Sequence, residues 1–241
     1  MPFAVPPAIT TRKPLSCERV KVNWEHPLNR SLQHWWLLNE NVGTTLYDLA
    51  KGAQVNGSLV NGPKWNGEYV RTLNSDSSYL LFPVSRSETS TTGTSYTISL
   101  LIRPSIYPTG QGVFQWASGV NSGSPLLLFQ HDDYSRIRFY WGEGWQIGDQ
   151  VIDESKWTVV HFTMLGPTGR GTYYKDGVQI AQATAAMTTV SATAMYIGSG
   201  YSSYDSIDAA WLRLYDRELS PVEVLDDYLH PYGTPDNPRL I

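Results

Sequence analysis

The chain has 241 residues, of which 41% are hydrophobic and 12% aromatic, enough for a packed core and unlike a disordered chain. Its formal charge is −4 and its basic residues are scattered, so neither a nucleic acid nor an anionic membrane is an expected partner. The single cysteine, Cys17, excludes an intrachain disulfide and a cysteine-rich zinc site. No stretch predicts a secretory signal or a membrane span, so we expect synthesis in the cytoplasm.

The N-terminal residues 1–30 lack any hydrophobic periodicity and contain five prolines, which favour an extended backbone. One interpretation is an arm outside the folded domain that grips another subunit. The other is a strap that lies on its own domain. The sequence leaves both open, and we place the domain itself at residues 31–230 and a proline-rich tail at 231–241.

Strand-like runs separated by turn residues begin near residue 35 and predict an antiparallel all-β domain. In the run at 95–104, apolar and polar side chains alternate, which places Ser99 and Arg103 on a polar face. The run at 156–164 is apolar on both faces and predicts a central strand. Asp176 and Gly177 then predict a type I′ hairpin turn.

One helix is predicted near the C-terminus, in the sequence SPVEVLDDYL. Ser220 is placed to cap it, Pro221 fits its first position, and Glu223 completes a capping box. Its apolar positions are expected to pack on the sheet. Asp226 and Asp227 are therefore expected to face water with Glu223.

The order of these landmarks resembles the concanavalin A-like lectin/glucanase superfamily, in its laminin G-like branch. The resemblance rests on four stretches between residues 34 and 229, including a glycine-rich loop and the closing strand and helix. The loop residues that match are Gly43, Thr44, Asp48, Ala50, Gly52 and Gly57. The resemblance implies a jelly-roll sandwich of two antiparallel sheets, a fold that hosts lectins, glucanases and virion subunits, so it does not choose a function.

The glucanase branch requires two carboxyl groups about 5 Å apart on one strand face. Its motif, Glu-x-Asp-x-x-Glu, occurs in no strand here. Glu143 stands alone, and Asp153 and Glu154 lie in a predicted turn. We therefore expect no catalytic residues and no enzyme activity, with a glycoside hydrolase as the third candidate function.

A lectin-type metal site requires several oxygen ligands from neighbouring loops. The weak candidates for calcium are Asp132, Asp133, Asp205 and Asp208, all of which also suit turns without an ion. His161, in the middle of a strand, is expected to be a hydrogen-bonded core residue. No cofactor is otherwise expected.

Exposed aromatic rings are the best indication of sugar binding, because the C–H faces of pyranoses stack on them. Trp145, Tyr201 and Tyr204 are the candidates, although most tryptophans of a sandwich belong to its core. A bound glycan is expected to come from a cell surface.

The segment VNWEHPLNRSL resembles a pattern that introduces laminin G-like domains in structural proteins of tailed bacteriophages. The matching residues expected to dock on other subunits are Val22, Trp24, His26, Pro27 and Leu28. The resemblance implies a virion structural protein, foremost a capsid decoration subunit bound to the major capsid protein, with homo-oligomers such as a trimer expected. The alternative is a glycan-binding module of a tail or adhesin protein.

Overall fold

The computed structural model describes residues 21–50, 55–88, 94–104, 112–120, 126–131, 136–141, 145–151, 156–184, 190–200, 203–234 and 237–240. These residues form two eight-stranded antiparallel sheets and one α-helix, α1 (Pro221–Leu229). Within these ranges, no helix has the length and apolarity needed to cross a membrane.

The first sheet contains, in spatial order, β15 (Val178–Thr184), β14 (Arg170–Lys175), β13 (Thr158–Leu165), β8 (Tyr96–Pro104), β20 (Ile207–Tyr215), β5 (Val70–Arg71) and β4 (Lys64–Trp65), and β1 (Leu32–Trp36) also pairs with β20. The second sheet contains β12 (Trp145–Val151), β11 (Arg136–Trp141), β10 (Leu127–His131), β9 (Gly112–Ala117), β17 (Ala194–Ile197), β6 (Tyr79–Phe82), β3 (Gly57–Val60) and β2 (Thr45–Leu46). Three short pairs complete the described strands: β16 (Val190–Ala192) with β7 (Arg86–Glu88), β18 (Ser199–Gly200) with β19 (Ser203–Tyr204), and β21 (Gly233–Thr234) with β22 (Asn237–Pro238).

The sheets pack face to face around one large hydrophobic core, as the predicted jelly-roll sandwich requires. Strand β8 contributes its apolar alternation, for example Ile98 and Leu100, which are completely buried. Strand β13 lies between β8 and β14 and is buried along nearly its whole length, which confirms the predicted central strand. The hairpin turn between β14 and β15 is also confirmed, because Asp176 and Gly177 both have positive φ angles, 49° and 76°.

A second hydrophobic cluster covers the outer face of the first sheet. It includes Val22 and Leu28 of the N-terminal segment, Trp211 of β20 and Val224 of α1. The polar face predicted for β8 is consequently not solvated at Ser99, which is completely buried beneath this layer, whereas Arg103 at the end of the strand is partly exposed. The covering segments come from both ends of the chain, so the alternation within β8 could not indicate them.

Residues 21–30 follow the strap interpretation, because they lie on their own domain. The backbone N–H of Asn23 donates to the carbonyl of Arg239 over 2.9 Å, and Val22 pairs with Leu240 in an isolated bridge. Asn29 is buried and its side-chain amide donates to the same Arg239 carbonyl. The strap (residues 21–30) and the C-terminal tail therefore hold each other against the first sheet, on the far side from the second sheet.

Helix α1 begins as predicted. The Ser220 hydroxyl accepts from the backbone N–H of Glu223, and the Glu223 carboxylate accepts from the backbone N–H of Ser220. Glu223 also pairs with Arg217 at 2.6 Å. The hydrogen bonds from Arg217 outweigh partial burial and lower the pKa of Glu223 to about 2.

The expectation that Asp227 faces water is wrong. Asp227 is completely buried, whereas Val222, expected to pack on the sheet, is 76% exposed. The helix is therefore rotated relative to the expectation, with Asp227 directed into the outer layer. Asp226 is partly exposed, as expected, and pairs with His230 at 2.9 Å.

Asp227 is the centre of a buried ionic network. One carboxylate oxygen accepts from Arg213 at 2.9 Å and from Arg239, and the other accepts from Ser99 at 2.9 Å and contacts His161 Nε2 at 2.8 Å. Burial alone would raise the pKa of Asp227, but Arg213 and Arg239 lower it well below its usual value. The contact between His161 and Asp227, together with the complete burial of His161, confirms the expectation that His161 is a hydrogen-bonded core residue.

Candidate functional site

Tyrosine side chains lie on the outer face of the second sheet. In β6 and β17, Phe82 and Met195 point into the core, so the alternating Tyr79 and Tyr196 point outwards. Their ring centroids are 5.9 Å apart. Tyr79 is partly exposed. Burial raises the pKa of both phenols, and a neighbouring tyrosine raises it further, Tyr204 for Tyr79 and Tyr79 for Tyr196. Both phenols therefore stay protonated at neutral pH.

The β18–β19 hairpin brings a third tyrosine to this face. A side chain at Gly112 of β9 would overlap the backbone of Gly200, so glycine at 112 allows the hairpin to lie directly on the sheet. The ring of Tyr204 then stacks on Tyr79, with centroids 6.1 Å apart and planes inclined by 23°. We call Tyr79, Tyr196 and Tyr204 the tyrosine face.

A buried amide lies beside the tyrosine face. Gln115 of β9 pairs in register with Tyr196 and is completely buried. Its Nε2 lies 3.5 Å from Ser199 Oγ, whereas its Oε1 accepts no hydrogen bond within the structure that is described. A buried acceptor without a donor is costly, and because Gln115 is completely buried this atom is not open to a ligand in the structure.

A groove of about 390 Å³ is lined by Leu73, Asn74, Ser75 and Ser206. It lies on the segments that lead to Tyr79 and from Tyr204. The backbone N–H of Asn74 donates to Ser206 Oγ over 3.0 Å, which holds the two walls together. Such a volume lies in the range typical of small-ligand sites.

The partly exposed rings of Tyr79 and Tyr204 suit a saccharide, whereas Tyr196 is only 6% exposed and supports them from below. The rings offer flat apolar faces for pyranose C–H groups, and the amide and hydroxyl groups can exchange hydrogen bonds with sugar hydroxyls. These groups are of the kinds that bind a sugar in proteins.

The structure places one of the three predicted aromatic candidates, Tyr204, in this site. Trp145 begins strand β12, but its side chain lies outside the described part of the structure, as does the whole of Tyr201. Asp132 and Asp133 also lie outside the described residues. Their proposed roles stay predictions.

The other two metal candidates are buried and engaged by the protein. Asp205 is 1% exposed, and its Oδ1 accepts from the backbone N–H of Ser206 at 2.7 Å. Asp208 accepts from Arg71 and Arg103, with Nε–O distances of 2.6 Å and 2.9 Å. Across the described ranges, no group of three or more metal-ligating side chains is found.

The residues predicted to dock on other subunits lie in the strap. Val22, His26 and Leu28 are buried in their own domain, while Trp24 is partly exposed and Pro27 exposed. Burial, followed by the charge of Arg239, lowers the pKa of His26, and its Nδ1 accepts from the backbone N–H of Leu28. This segment therefore packs against its own domain, and docking by these residues on other subunits stays a prediction.

Sequence reasoning missed Tyr79, Tyr196 and Gln115. The alternation of Tyr79 with Leu80 and Phe82 was a usable signal, because it separates one tyrosine from two core residues. Gln115 carried no such signal, since its burial depends on the β18–β19 hairpin.

A family model of the laminin G type, described as the concanavalin A-like lectin/glucanases superfamily, matches residues 74–225. This match covers well over half of the chain. The chain belongs to the concanavalin A-like lectin/glucanase superfamily. No curated protein sequence matches it.

Solved structures show the same fold at low sequence identity. A sialidase of Trypanosoma rangeli is 15% identical, with a TM-score of 0.65 over 83% of this chain and 33% of the sialidase chain. The binding domain of botulinum neurotoxin serotype D is 12% identical, with a TM-score of 0.64 over 83% of this chain and 52% of that chain. A botulinum neurotoxin DC binding domain in complex with rat synaptotagmin II is 13% identical, with a TM-score of 0.63. The chain thus spans a third to a half of these proteins.

Proposed function

We propose that the protein is a virion structural subunit, foremost a capsid decoration protein, whose lectin-like domain faces outward. The observation that carries the proposal is the opposite placement of two surfaces. The strap and tail cover the outer face of the first sheet, and the tyrosine face lies on the outer face of the second. Attachment through the strap side would leave the tyrosine face free.

Residues 1–20 are proposed to supply the attachment, since they precede the strap and are rich in proline, which suits extended contact with a neighbour. The experiment is co-sedimentation with empty shells of the major capsid protein. The full chain should pellet with the shells, and a variant without residues 1–20 should stay in solution with an unchanged melting temperature. Equal association of both would contradict attachment through this segment, and no association of either would contradict the decoration role.

Glycan binding by the outward domain is the second proposed function, favoured by the stacked Tyr79 and Tyr204 and by a groove on the chain segments next to them. Glycan binding would equally suit a module of a tail or adhesin protein. A glycan array probed with wild type, Tyr204→Ala and Tyr47→Ala provides the test, because Tyr47 is 49% exposed and makes no described ring contact with the tyrosine face. Tyr204→Ala should bind the glycan about tenfold or more weakly than wild type, because it loses an aromatic stacking contact, and Tyr47→Ala should bind as wild type does. Equal binding by all three would exclude Tyr204 as a contact.

We further propose that the bound glycan is not cleaved. The support comes from the sequence, which has no Glu-x-Asp-x-x-Glu motif in any strand. Release of reducing sugar that disappears in Glu143→Gln would contradict this.

A further inference from the structure

One histidine lies at the centre of the strap. His26 is 5% exposed and caps the short 3₁₀ turn Pro27–Asn29, with its Nδ1 accepting from the backbone N–H of Leu28 over 3.2 Å. Its backbone N–H donates to the carbonyl of Asn23 over 3.2 Å, and its carbonyl accepts from the N–H of Asn29 over 2.9 Å. The two halves of the strap are therefore held together through this one residue.

The side-chain hydrogen bond of His26 requires a neutral imidazole. A ring nitrogen accepts a hydrogen bond only when it carries no proton, so the neutral ring has its proton on Nε2. Protonation at Nδ1 would direct an N–H at the N–H of Leu28, which is also buried, and both donors would lack an acceptor. A charged ring at this place would also lose most of its hydration, which is costly.

Charged groups from the tail and from α1 face His26. Arg239 of the tail repels a protonated ring, whereas Asp226 and Asp227 of α1 attract it. Both carboxylates are already engaged, because Asp227 pairs with two buried arginines and Asp226 pairs with His230 at 2.9 Å. Burial, followed by Arg239, outweighs the carboxylates and lowers the pKa of His26. The strap's own charged residues are exposed to solvent, namely Lys21, Glu25 and Arg30.

The strap can separate from the domain without breaking either large sheet. Its hydrogen bonds to the tail run from Asn23 and Asn29 to the carbonyl of Arg239, and Val22 pairs with Leu240 in an isolated bridge. None of these bonds belongs to the ladders of the two eight-stranded sheets. The tail has an anchor of its own, since the Arg239 side chain pairs with the buried carboxylate at the centre of the ionic network.

We propose that protonation of His26 opens the strap, so that in acid residues 21–30 leave the first sheet while the sandwich and the tail stay folded. The stability contributed by the neutral ring is fully present above the ordinary histidine pKa of 6.5, and it is lost as the pH falls through the lowered pKa of the folded state. Opening would uncover part of the second hydrophobic cluster, to which Val22 and Leu28 belong. This inference does not depend on the proposed function.

The test is amide hydrogen exchange of the full chain, measured by mass spectrometry at about pH 8 and about pH 5 and corrected for the intrinsic exchange rate. Amides of residues 21–30 should exchange about tenfold faster at the lower pH, as expected when a buried donor loses its acceptor. Strand β13 should stay protected at both pH values. His26→Asn should exchange equally at both, because the asparagine carbonyl can accept from Leu28 and does not titrate.

His230→Gln is the matched control, because it removes a second histidine that contacts one of the acids facing His26. It should keep the pH dependence of wild type. Strap exchange that does not change with pH in wild type, a pH dependence kept in His26→Asn, or one lost in His230→Gln would each overturn the inference. Loss of protection in β13 together with the strap would also overturn it, since the whole domain would then be unfolding.

A second measurement on wild type covers the case in which His26→Asn does not fold. The midpoint of the change in strap exchange should coincide with the titration of the His26 ring protons followed by nuclear magnetic resonance. Different midpoints would show that another group controls the strap and would overturn the inference.

Discussion

At Asp227, a single side chain joins the helix, the first sheet and the C-terminal tail. Its carboxylate pairs with Arg213 of β20 and Arg239 of the tail, and all three side chains are completely buried. Arg239 also donates to Asn29 of the strap over 3.0 Å. Burying charges is costly. In this network the pairing of each charge with partners offsets that cost.

We predict that Asp227→Asn destabilises the protein by about 3–5 kcal/mol, because two buried arginines would lose their counter-ion. Urea unfolding of the variant and of Asp226→Asn measures this. Asp226 is on the same helix, but it is partly exposed and pairs only with His230 among the described residues, so its loss should cost at most about 1 kcal/mol. Similar losses for the two variants would contradict a structural role for the network.

The burial of Asp227 could not be predicted from the helix sequence. Nine residues fix the helical phase poorly, and polarity alone directs an aspartate to water. Its partners Arg213 and Arg239 lie 14 and 12 residues away, in a strand and in the tail. Tyr204 could be predicted because an exposed ring in a polar loop is a local pattern, whereas its stacking on Tyr79 is a long-range contact.

At the scale of elements, local sequence chemistry predicts the structure well. The capping box at Ser220 and the Asp176–Gly177 turn both form as expected, since each needs only neighbouring backbone groups. The strap shows the limit of such reasoning. Whether a proline-rich segment lies on its own domain or on another subunit depends on contacts such as Asn23 with Arg239.

We predict that the cap of α1 weakens in acid. Because the pKa of Glu223 is lowered from 4.5 to about 2, its ionised form contributes stability above pH 4.5 that is lost as the pH falls towards 2. Glu223→Gln should therefore be about 1 kcal/mol less stable than wild type at pH 7 and nearly equal to it near pH 2. Urea unfolding across this pH range measures the difference, and a difference that does not vary with pH would contradict the prediction.

The β14–β15 turn also contacts the helix. A methyl group at Gly177 would lie 3.0 Å from Leu225 and 3.1 Å from Tyr228, and Gly177 has a φ of 76°. We predict that Gly177→Ala costs about 1–3 kcal/mol through backbone strain and this contact. Gly119→Ala, where a methyl group would meet no atom of the described residues within 4 Å, should be close to neutral. Thermal melts of both variants and wild type measure the difference. Equal melting temperatures for the two variants would contradict the prediction.

At the scale of the whole molecule, the sandwich has two different outer faces. The first sheet is covered by the strap, the helix and the tail, and these hold both ends of the described chain on one side. The second sheet carries the tyrosine face on the other side. The fold could be predicted from the sequence. The difference between the two outer faces could not, because it depends on which face the terminal segments cover.

We propose that the domain sits on a virion by its strap side and directs its tyrosine face outward. A cryo-electron microscopy map of virions that carry the protein tests this most directly. We predict density for the sandwich with Trp24 and Pro27 towards the shell, and with Tyr79 and Tyr204 facing solvent. A tyrosine face packed against the shell, or a virion without this density, would contradict the account.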